Sequence, residues 1–484
     1  MTCKLIIKDE VNIKLDGLDV EARRKLANTF KYEIPYAKYH PAYKLGRWDG
    51  MVSLFGLGGN GYLNQMEKIL EVLNKLGVEI EDVEDLRVKH DLTFNAVTET
   101  YWADQGKVWP VGHPQAGQPI LLRDYQVEAI NLFLENPQAL QQIATGAGKT
   151  ITTATLSHLC EPYGRTMVIV PNKSLVVQTE EDYKNLGLDV GVYFGDRKEL
   201  NRTHTICTWQ SLNVLDKKSY DEDALSLAEF TEGVGAIIID EVHQAKAEVL
   251  TKLLTQNFRN CGIRWGLTGT IPKEKWEFQS LLASIGPVIN QVTAFDLQQK
   301  DVLANLQINI LQTNEVQAFR SFQDEYAFLV TDPERLKWIG KTVKELSLTG
   351  NTLVLVNRID TGNALVDMLP DSVFISGGVK LAERKEEYDE IKTSDGKVIV
   401  ATYGVAAVGI NIPRIFNLVL IEPGKSFVRV IQSIGRGIRK AADKDFVQIW
   451  DVTSQCKYSK KHLTERKKFY KEAKYPFTIT KVNL

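Results

Sequence analysis

The sequence predicts an α/β protein built on two parallel sheets in tandem, behind a small N-terminal α+β unit. Short apolar runs, Met167–Val170, Ala236–Ile239, Leu353–Val356, Val398–Ala401 and Leu418–Ile421, alternate with helix-length segments. Their continuous Val, Ile and Leu character suits strands covered on both faces by helices, because a strand with one wet face would alternate instead. This texture starts at Leu121 and differs from that of the chain before it.

Within the N-terminal unit, alternation in Cys3–Ile7 and Val11–Leu15 predicts two short strands. Asp19 to Phe30 and Leu63 to Leu76 carry helical patterns, with Gly56, Gly58, Gly59 and Gly61 punctuating the stretch between. Glycines and prolines from Trp109 to Pro119 mark a linker. The first large sheet is expected to end near Thr270 and the second to begin near Ile308, with a mostly helical bridge from Pro272 to Ala304. Tyr458 to Lys474 reads as a basic helix carrying Lys460, Lys461, Arg466, Lys467, Lys468, Lys471 and Lys474, followed by a tail from Pro476 to Leu484. The expected divisions are therefore 1–110, 111–304, 305–455 and 456–484.

Composition bounds the rest. The 484 residues are 44% hydrophobic and 25% charged, the balance of a globular protein with more than one core. No apolar stretch approaches the ~20 residues that span a bilayer, and the N-terminus lacks a signal core. A cytoplasmic location is the expectation. The five cysteines are scattered and form no Cys-x-x-Cys pair, which disfavours a disulfide framework or zinc site. A net charge of −2 does not advertise nucleic-acid binding, although basic residues can still concentrate on one surface.

Two motifs carry chemistry. In Ala144-Thr-Gly-Ala-Gly-Lys-Thr150, Gly146 and Gly148 let backbone N–H groups turn inward around a phosphate. Thr145 and Ala147 complete that cradle, Lys149 can reach the β- and γ-phosphates, and Thr150 offers a hydroxyl to Mg²⁺. Ile143 stands where the strict pattern has glycine. The second motif, Ile237-Ile-Ile-Asp-Glu-Val-His243, delivers Asp240 and Glu241 to the C-terminal end of a buried strand, where α/β folds bind ligands. Asp240 would hold Mg²⁺ through water, and Glu241 would orient and deprotonate an attacking water. Either motif alone has a bland reading, a turn before a helix or a helix cap. The two together, in this order, point to a nucleotide phosphohydrolase.

Asp240-Glu-Val-His243 resembles the Asp-Glu-x-His box of superfamily 2 helicases, and further segments match that family in order. Arg123-Asp-Tyr-Gln126 resembles the adenine-recognising motif, with Gln126 as base reader beside Arg123. Val170-Pro-Asn-Lys-Ser174 and Thr208-Trp-Gln-Ser211 resemble the strand-contacting motifs, and Gly266-Leu-Thr-Gly-Thr270 the coupling motif. In the second half, Ala401-Thr-Tyr-Gly404 and Val408-Gly-Ile-Asn411 resemble the fifth motif, although many members carry Asp where this chain has Asn411. Gln432-Ser-Ile-Gly-Arg-Gly-Ile-Arg439 matches the sixth. Gly46-Arg-Trp-Asp-Gly50 and Lys481-Val-Asn-Leu484 resemble the UvsW-type recombination helicases of large bacteriophages.

The resemblance implies two RecA-like motor domains, with ATP and Mg²⁺ as cofactors. Glu241, Lys149, Asp240, Gln432, Arg436 and Arg439 would be catalytic, the two arginines as fingers that stabilise charge on the transferred phosphoryl group. Gly409 would join the ATP-binding set, and His243, Thr268, Thr270 and Asn411 would couple nucleotide state to the track. Asn172, Lys173, Ser174, Gln210, Ser211, Thr402 and Tyr403 would grip phosphates without reading sequence. The interleaved aromatic and basic stretch from Tyr32 to Trp48, above all Lys44, Arg47 and Trp48, would add base stacking. The expected activity is ATP-dependent remodelling of branched DNA, forks or four-way junctions, in recombination, repair or replication, by a monomer in the cytoplasm, that of the host if the protein is of phage origin. A double-strand translocase that separates no strands, an RNA helicase, and a nucleotide-dependent binding or annealing protein with little turnover remain as alternatives.

Overall fold

The computed structural model describes residues 1–88, 91–113, 115–218, 225–244, 247–378, 390, 391, 393–409, 412, 414–426, 434, 435 and 437–484. The chain forms two compact units, Met1–Ile143 with Thr150–Gln291, and Val292–Leu484 with the loop Ala144–Lys149.

In the first unit, an N-terminal sheet of order β5-β2-β1-β6 contains β1 (Thr2–Ile7), β2 (Asn12–Asp16), β5 (Asn60–Tyr62) and β6 (Glu79–Asp85). A ribbon of β3 (Lys31–Glu33) and β4 (Met51–Ser53) sits apart from it. Alternate residues of β1 and β2 are buried, as a sheet with one covered face requires. The helix Val20–Thr29 starts where the Asp19 carboxylate accepts the Ala22 N–H at 2.7 Å, and it turns Ala22 and Leu26 onto the sheet. Gly59 is required at its turn, because its φ is +86° and a Cβ there would meet the Leu15 carbonyl oxygen at 2.3 Å. Trp276, from the distant helix Lys275–Ser284, completes this core and is 3% exposed. Burying about 200 Å² of indole is worth roughly 5 kcal/mol before entropy, so this one side chain does much to dock the module. Gln138 Nε2 also donates to the Glu10 carbonyl at 2.8 Å, and Asn12 Nδ2 to the Thr255 carbonyl at 2.8 Å.

The same unit holds an eight-stranded sheet of order β10-β9-β11-β8-β12-β13-β7-β14. Its strands are β7 (Gln138–Ile143), β8 (Arg165–Val170), β9 (Val190–Phe194), β10 (Arg197–Lys198), β11 (His204–Thr208), β12 (Val234–Ile239), β13 (Ile263–Thr268) and β14 (Val288–Val292). The central pairs are parallel, with Ile238 opposite both Trp265 and Val168. Crossover helices Lys149–Leu159, Lys173–Asn185 and Trp209–Lys218 cover the faces, so β11 and β13 are buried at every position. The sheet therefore does not end at Thr270. The segment expected to be a helical bridge contributes its edge strand β14, whose half-polar sequence Val-Ile-Asn-Gln-Val reflects that edge position.

The second unit carries a seven-stranded sheet of order β17-β18-β16-β19-β20-β15-β21. Its strands are β15 (Asn305–Thr313), β16 (Thr352–Val356), β17 (Val373–Ile375), β18 (Val398–Thr402), β19 (Asn417–Ile421), β20 (Phe446–Ser454) and β21 (Phe477–Val482). Two features differ from expectation. The C-terminal residues are not a tail, because β21 pairs in parallel with β15 along the sheet edge. The helix Lys457–Glu472 is also not basic all round. Arg466 points inward with Leu463, Phe469 and Tyr470, fully buried against the equally buried Asp451. Both Asp451 oxygens accept from Arg466, at 2.8 and 2.9 Å, and Tyr470 donates a third bond at 2.8 Å. A buried carboxylate and guanidinium persist only when paired in this way.

Val108 bridges Pro119, and the Trp109 and His113 rings stack with centroids 4.0 Å apart. All five cysteines are buried free thiols. Among the described residues, no helix is long and apolar enough to cross a membrane.

Candidate functional site

The C-terminal ends of neighbouring strands β12 and β13 bring two motifs together. Ile239 is the last residue of β12 and is 1% exposed, so Asp240 and Glu241 emerge where the hydrophobic strand stops. Asp240 accepts the Glu241 N–H at 2.9 Å, and Glu241 adopts φ +51°. Left-handed backbone at a non-glycine residue costs about 1–2 kcal/mol and needs support from its surroundings. Glu241 is 7% exposed, and its Oε2 accepts the Gly269 N–H at 3.3 Å and lies 3.5 Å from His243 Nδ1.

His243 Nδ1 also meets Thr268 Oγ1 at 2.5 Å. Thr268 is the last residue of β13 and fully buried. Its single hydroxyl proton goes to the Thr270 carbonyl at 2.7 Å. The oxygen must then accept from histidine, so Nδ1 carries the imidazole proton. The Thr270 N–H returns a bond to the same oxygen at 3.3 Å. Glu241, His243, Thr268 and Thr270 thus form one connected network. The Thr270 hydroxyl itself is buried and has no hydrogen-bond partner among the described residues.

The phosphate-type loop follows β7. Gly146 and Gly148 take φ +89° and +78°, conformations that suit glycine and turn successive N–H groups to one side. The Ala144 N–H donates to the Val292 carbonyl at 2.9 Å. Lys149 is 9% exposed and begins the helix Lys149–Leu159, with Thr150 half-buried in its first turn. A Cβ added to Gly146 would stand 2.9 Å from the Leu303 side chain and 3.7 Å from Arg439 Cγ, which places Arg439 beside the loop within the second unit.

Gln126 is 5% exposed, and its Oε1 accepts the Arg123 N–H at 2.9 Å while the Arg123 guanidinium donates to Tyr125 Oη at 3.1 Å. Asn172 caps the helix Lys173–Asn185 by accepting the Leu175 N–H at 3.1 Å, and its Nδ2 is buried with no partner among the described residues. Gln210 donates to the Pro171 carbonyl at 3.2 Å, and the Ser211 and Thr208 hydroxyls lie 2.9 Å apart. The ends of β8 and β11 therefore gather Asn172, Gln210 and Ser211, with exposed Lys173 and half-buried Ser174 beside them.

Other expected residues fall elsewhere. Thr402 ends β18 half-buried. Tyr403 is 2% exposed and its hydroxyl donates to the Ile421 carbonyl at 3.2 Å, so this ring serves the core and cannot grip a strand. Gly409 ends the helix Tyr403–Gly409. Asn411, Gln432 and Arg436 lie outside the described residues. Lys44 and Arg47 are exposed. Trp48 is half-buried against the N-terminal core and donates its indole N–H to the Met51 carbonyl at 2.8 Å, which withdraws it as an open stacking platform. Tyr36, Tyr39 and Tyr43, exposed by 51, 69 and 43%, present the available ring faces there. Sequence reasoning missed the left-handed turn at Glu241 and the Gly269 N–H that meets its carboxylate, since no residue pattern announces a positive φ at glutamate.

Residues 119–273 match the family described as type III restriction enzyme, res subunit, and residues 334–441 match the helicase conserved C-terminal domain. The chain is 22% identical over 491 residues to the ATP-dependent DNA helicase uvsW of Enterobacteria phage T4, covering 97% of this chain and 94% of that protein. It is 26% identical over 376 residues to the DNA 3'-5' helicase XPB of Kineococcus radiotolerans, covering 74% of this chain and 64% of that one. In fold it is similar to a fragment of a putative HsdR subunit of a type I restriction enzyme from Vibrio vulnificus, with a TM-score of 0.56 at 17% identity over 97% of this chain and 85% of that chain.

Proposed function

Since the chain is a superfamily 2 helicase, an ATP-hydrolysing DNA helicase with its two family domains in tandem, we propose that its substrate is branched DNA, forks or four-way junctions, which it remodels as a monomer. The likeness to a phage DNA helicase runs through the N-terminal module as well as the motor, and supports this reading. That module, 1–110, would hold the branch, 111–304 and 305–455 would be the motor domains, and 456–484 would close the second of them.

One observation carries the mechanism: the ends of β12 and β13 share His243. Glu241 is the general base that orients and deprotonates the attacking water. Lys149 and the loop N–H groups hold the phosphates, with Gln126 and Arg123 at the base. Arg439, with Arg436 and Gln432, stabilises charge developing on the transferred phosphoryl group. The donors Asp240 and Thr150 are hard oxygens, which fit Mg²⁺. When bound, that ion neutralises phosphate charge. A change at Glu241 on hydrolysis reaches Thr268 and Thr270 through the histidine. Asn172, Lys173, Ser174, Gln210, Ser211 and Thr402 grip phosphates, while Lys44, Arg47 and the neighbouring tyrosines contact the branch point. Each grip must change affinity with nucleotide state, otherwise ATP moves nothing.

ATPase rates on single-stranded DNA, duplex, four-way junction and matched RNA test the proposal. The junction should stimulate most. Equal stimulation by plain duplex would replace it with double-strand translocation, and stimulation by RNA alone would overturn the choice of track.

A further inference from the structure

We propose that Lys444 is a positioning residue for Arg439, holding the backbone that presents the arginine so that its guanidinium arrives at a fixed place; this rests on the role given to Arg439 above. Three successive carbonyls end the turn that carries Arg439. The outer two, of Gly437 and Arg439, both accept from the Lys444 ammonium, the latter at 2.8 Å. The middle one, of Ile438, accepts the Ala304 N–H at 2.8 Å. The turn is therefore tied from two sides, by the Lys444 ammonium and by the Ala304 N–H.

The sequence folds this way for local reasons. Ala441 and Lys444 exchange backbone hydrogen bonds around Ala442 and Asp443, reversing the chain just before β20. That reversal swings Lys444 back under the turn it has just left, where it is 3% exposed. The Asp443 carboxylate beside it is bound by Arg414 at 2.8 Å. Burial and the nearby Arg439 charge push the ammonium down to about 7, with Asp443 opposing. A charge kept in so buried a place, on the Gly437 and Arg439 carbonyls, is costly as mere packing. On the other side of Arg439, Leu303 bridges it and abuts Gly146 of the phosphate loop. A shift of the carbonyl pair would displace the arginine relative to that loop.

The test compares K444A, K444M and R439A by steady-state ATPase with saturating DNA. Lys444 opens onto a cleft of about 250 Å³ lined also by Phe416, Asn417, Asp443 and Phe446, which gives an added amine a way in. K444A and K444M should each lower kcat about tenfold or more while KM for ATP stays within about twofold, as for misplacement of a reacting group. Propylammonium should restore K444A turnover, and tetramethylammonium, which has no N–H, should not. K444M keeps the aliphatic packing and carries the test if K444A fails to fold. Normal kcat in K444M beside an inactive R439A would overturn the positioning role and leave Arg439 in place. Normal kcat in R439A would overturn both.

Discussion

Replacing Glu241 with glutamine removes a proton acceptor and almost nothing else. The glutamine carbonyl can occupy the place of Oε2, so the Gly269 N–H at 3.3 Å and the imidazole N–H at 3.5 Å keep an acceptor. The backbone at φ +51° is already held by the ends of two buried strands and needs no side-chain charge. Ground-state contacts therefore survive, and folding stability should change by no more than about 1 kcal/mol. A positioned general base contributes roughly 10²–10⁴ in rate. That range corresponds to about 3–5 kcal/mol of barrier. Single-turnover hydrolysis with enzyme in excess reads the chemical step, and equilibrium binding of a fluorescent ATP analogue reads affinity. The expected result is hydrolysis slowed at least about a hundredfold, with affinity within about threefold. Turnover within a factor of about three of wild type would refute the assignment of the base. Affinity and rate falling together would instead show that Glu241 supports the nucleotide pocket.

T268V deletes the hydroxyl that joins His243 to Thr270. ATP hydrolysis should persist within about threefold, while base pairs opened per ATP fall about tenfold, because the lost bond lies on the relay and not at the reacting atoms; equal loss of both would remove the coupling role. R466M strands the fully buried Asp451 carboxylate with only the Tyr470 hydroxyl among its described donors. Urea unfolding should show about 3–5 kcal/mol of destabilisation, and a change below about 1 kcal/mol would mean that the C-terminal helix is not anchored there. Lys444 titrates near 7 when folded, against an ordinary 10.5. Between those values the unfolded chain binds more protons, so the stability of wild type relative to K444M rises with pH above about 7 by up to ~1.4 kcal/mol per unit, and is flat below it. Unfolding measured from pH 6 to 9 checks the sign, and a falling difference would contradict the burial of that charge.

Much of this architecture is legible in the residues. The runs at Met167–Val170 and Ala236–Ile239 are apolar throughout because both faces of their strands are covered, and that same uniformity locates the strand ends past which Asn172 and Asp240 stand. Edge strands are harder to read. β14 mixes Asn and Gln into its run, and β21 alternates beside solvent, so neither has the signature of a covered strand. A basic run conceals direction as well. Arg466 stands three residues after Leu463 and three before Phe469, a helical spacing that turns it inward, and its partner Asp451 is on another element. Tyr403 illustrates the same limit, since its position past β18 follows from the strand pattern while its inward hydroxyl follows from the Ile421 carbonyl. Trp276 joining the N-terminal core is a long-range contact that no local pattern encodes.

The account turns most directly on whether the wild-type protein converts a synthetic four-way junction into forked duplexes in a gel assay. It should do so with ATP and Mg²⁺, but not with a non-hydrolysable analogue, and E241Q should bind the junction without resolving it. Resolution of the junction by E241Q, or by wild type without hydrolysis, would mean that binding alone opens the branch, and would contradict an ATP-driven motor.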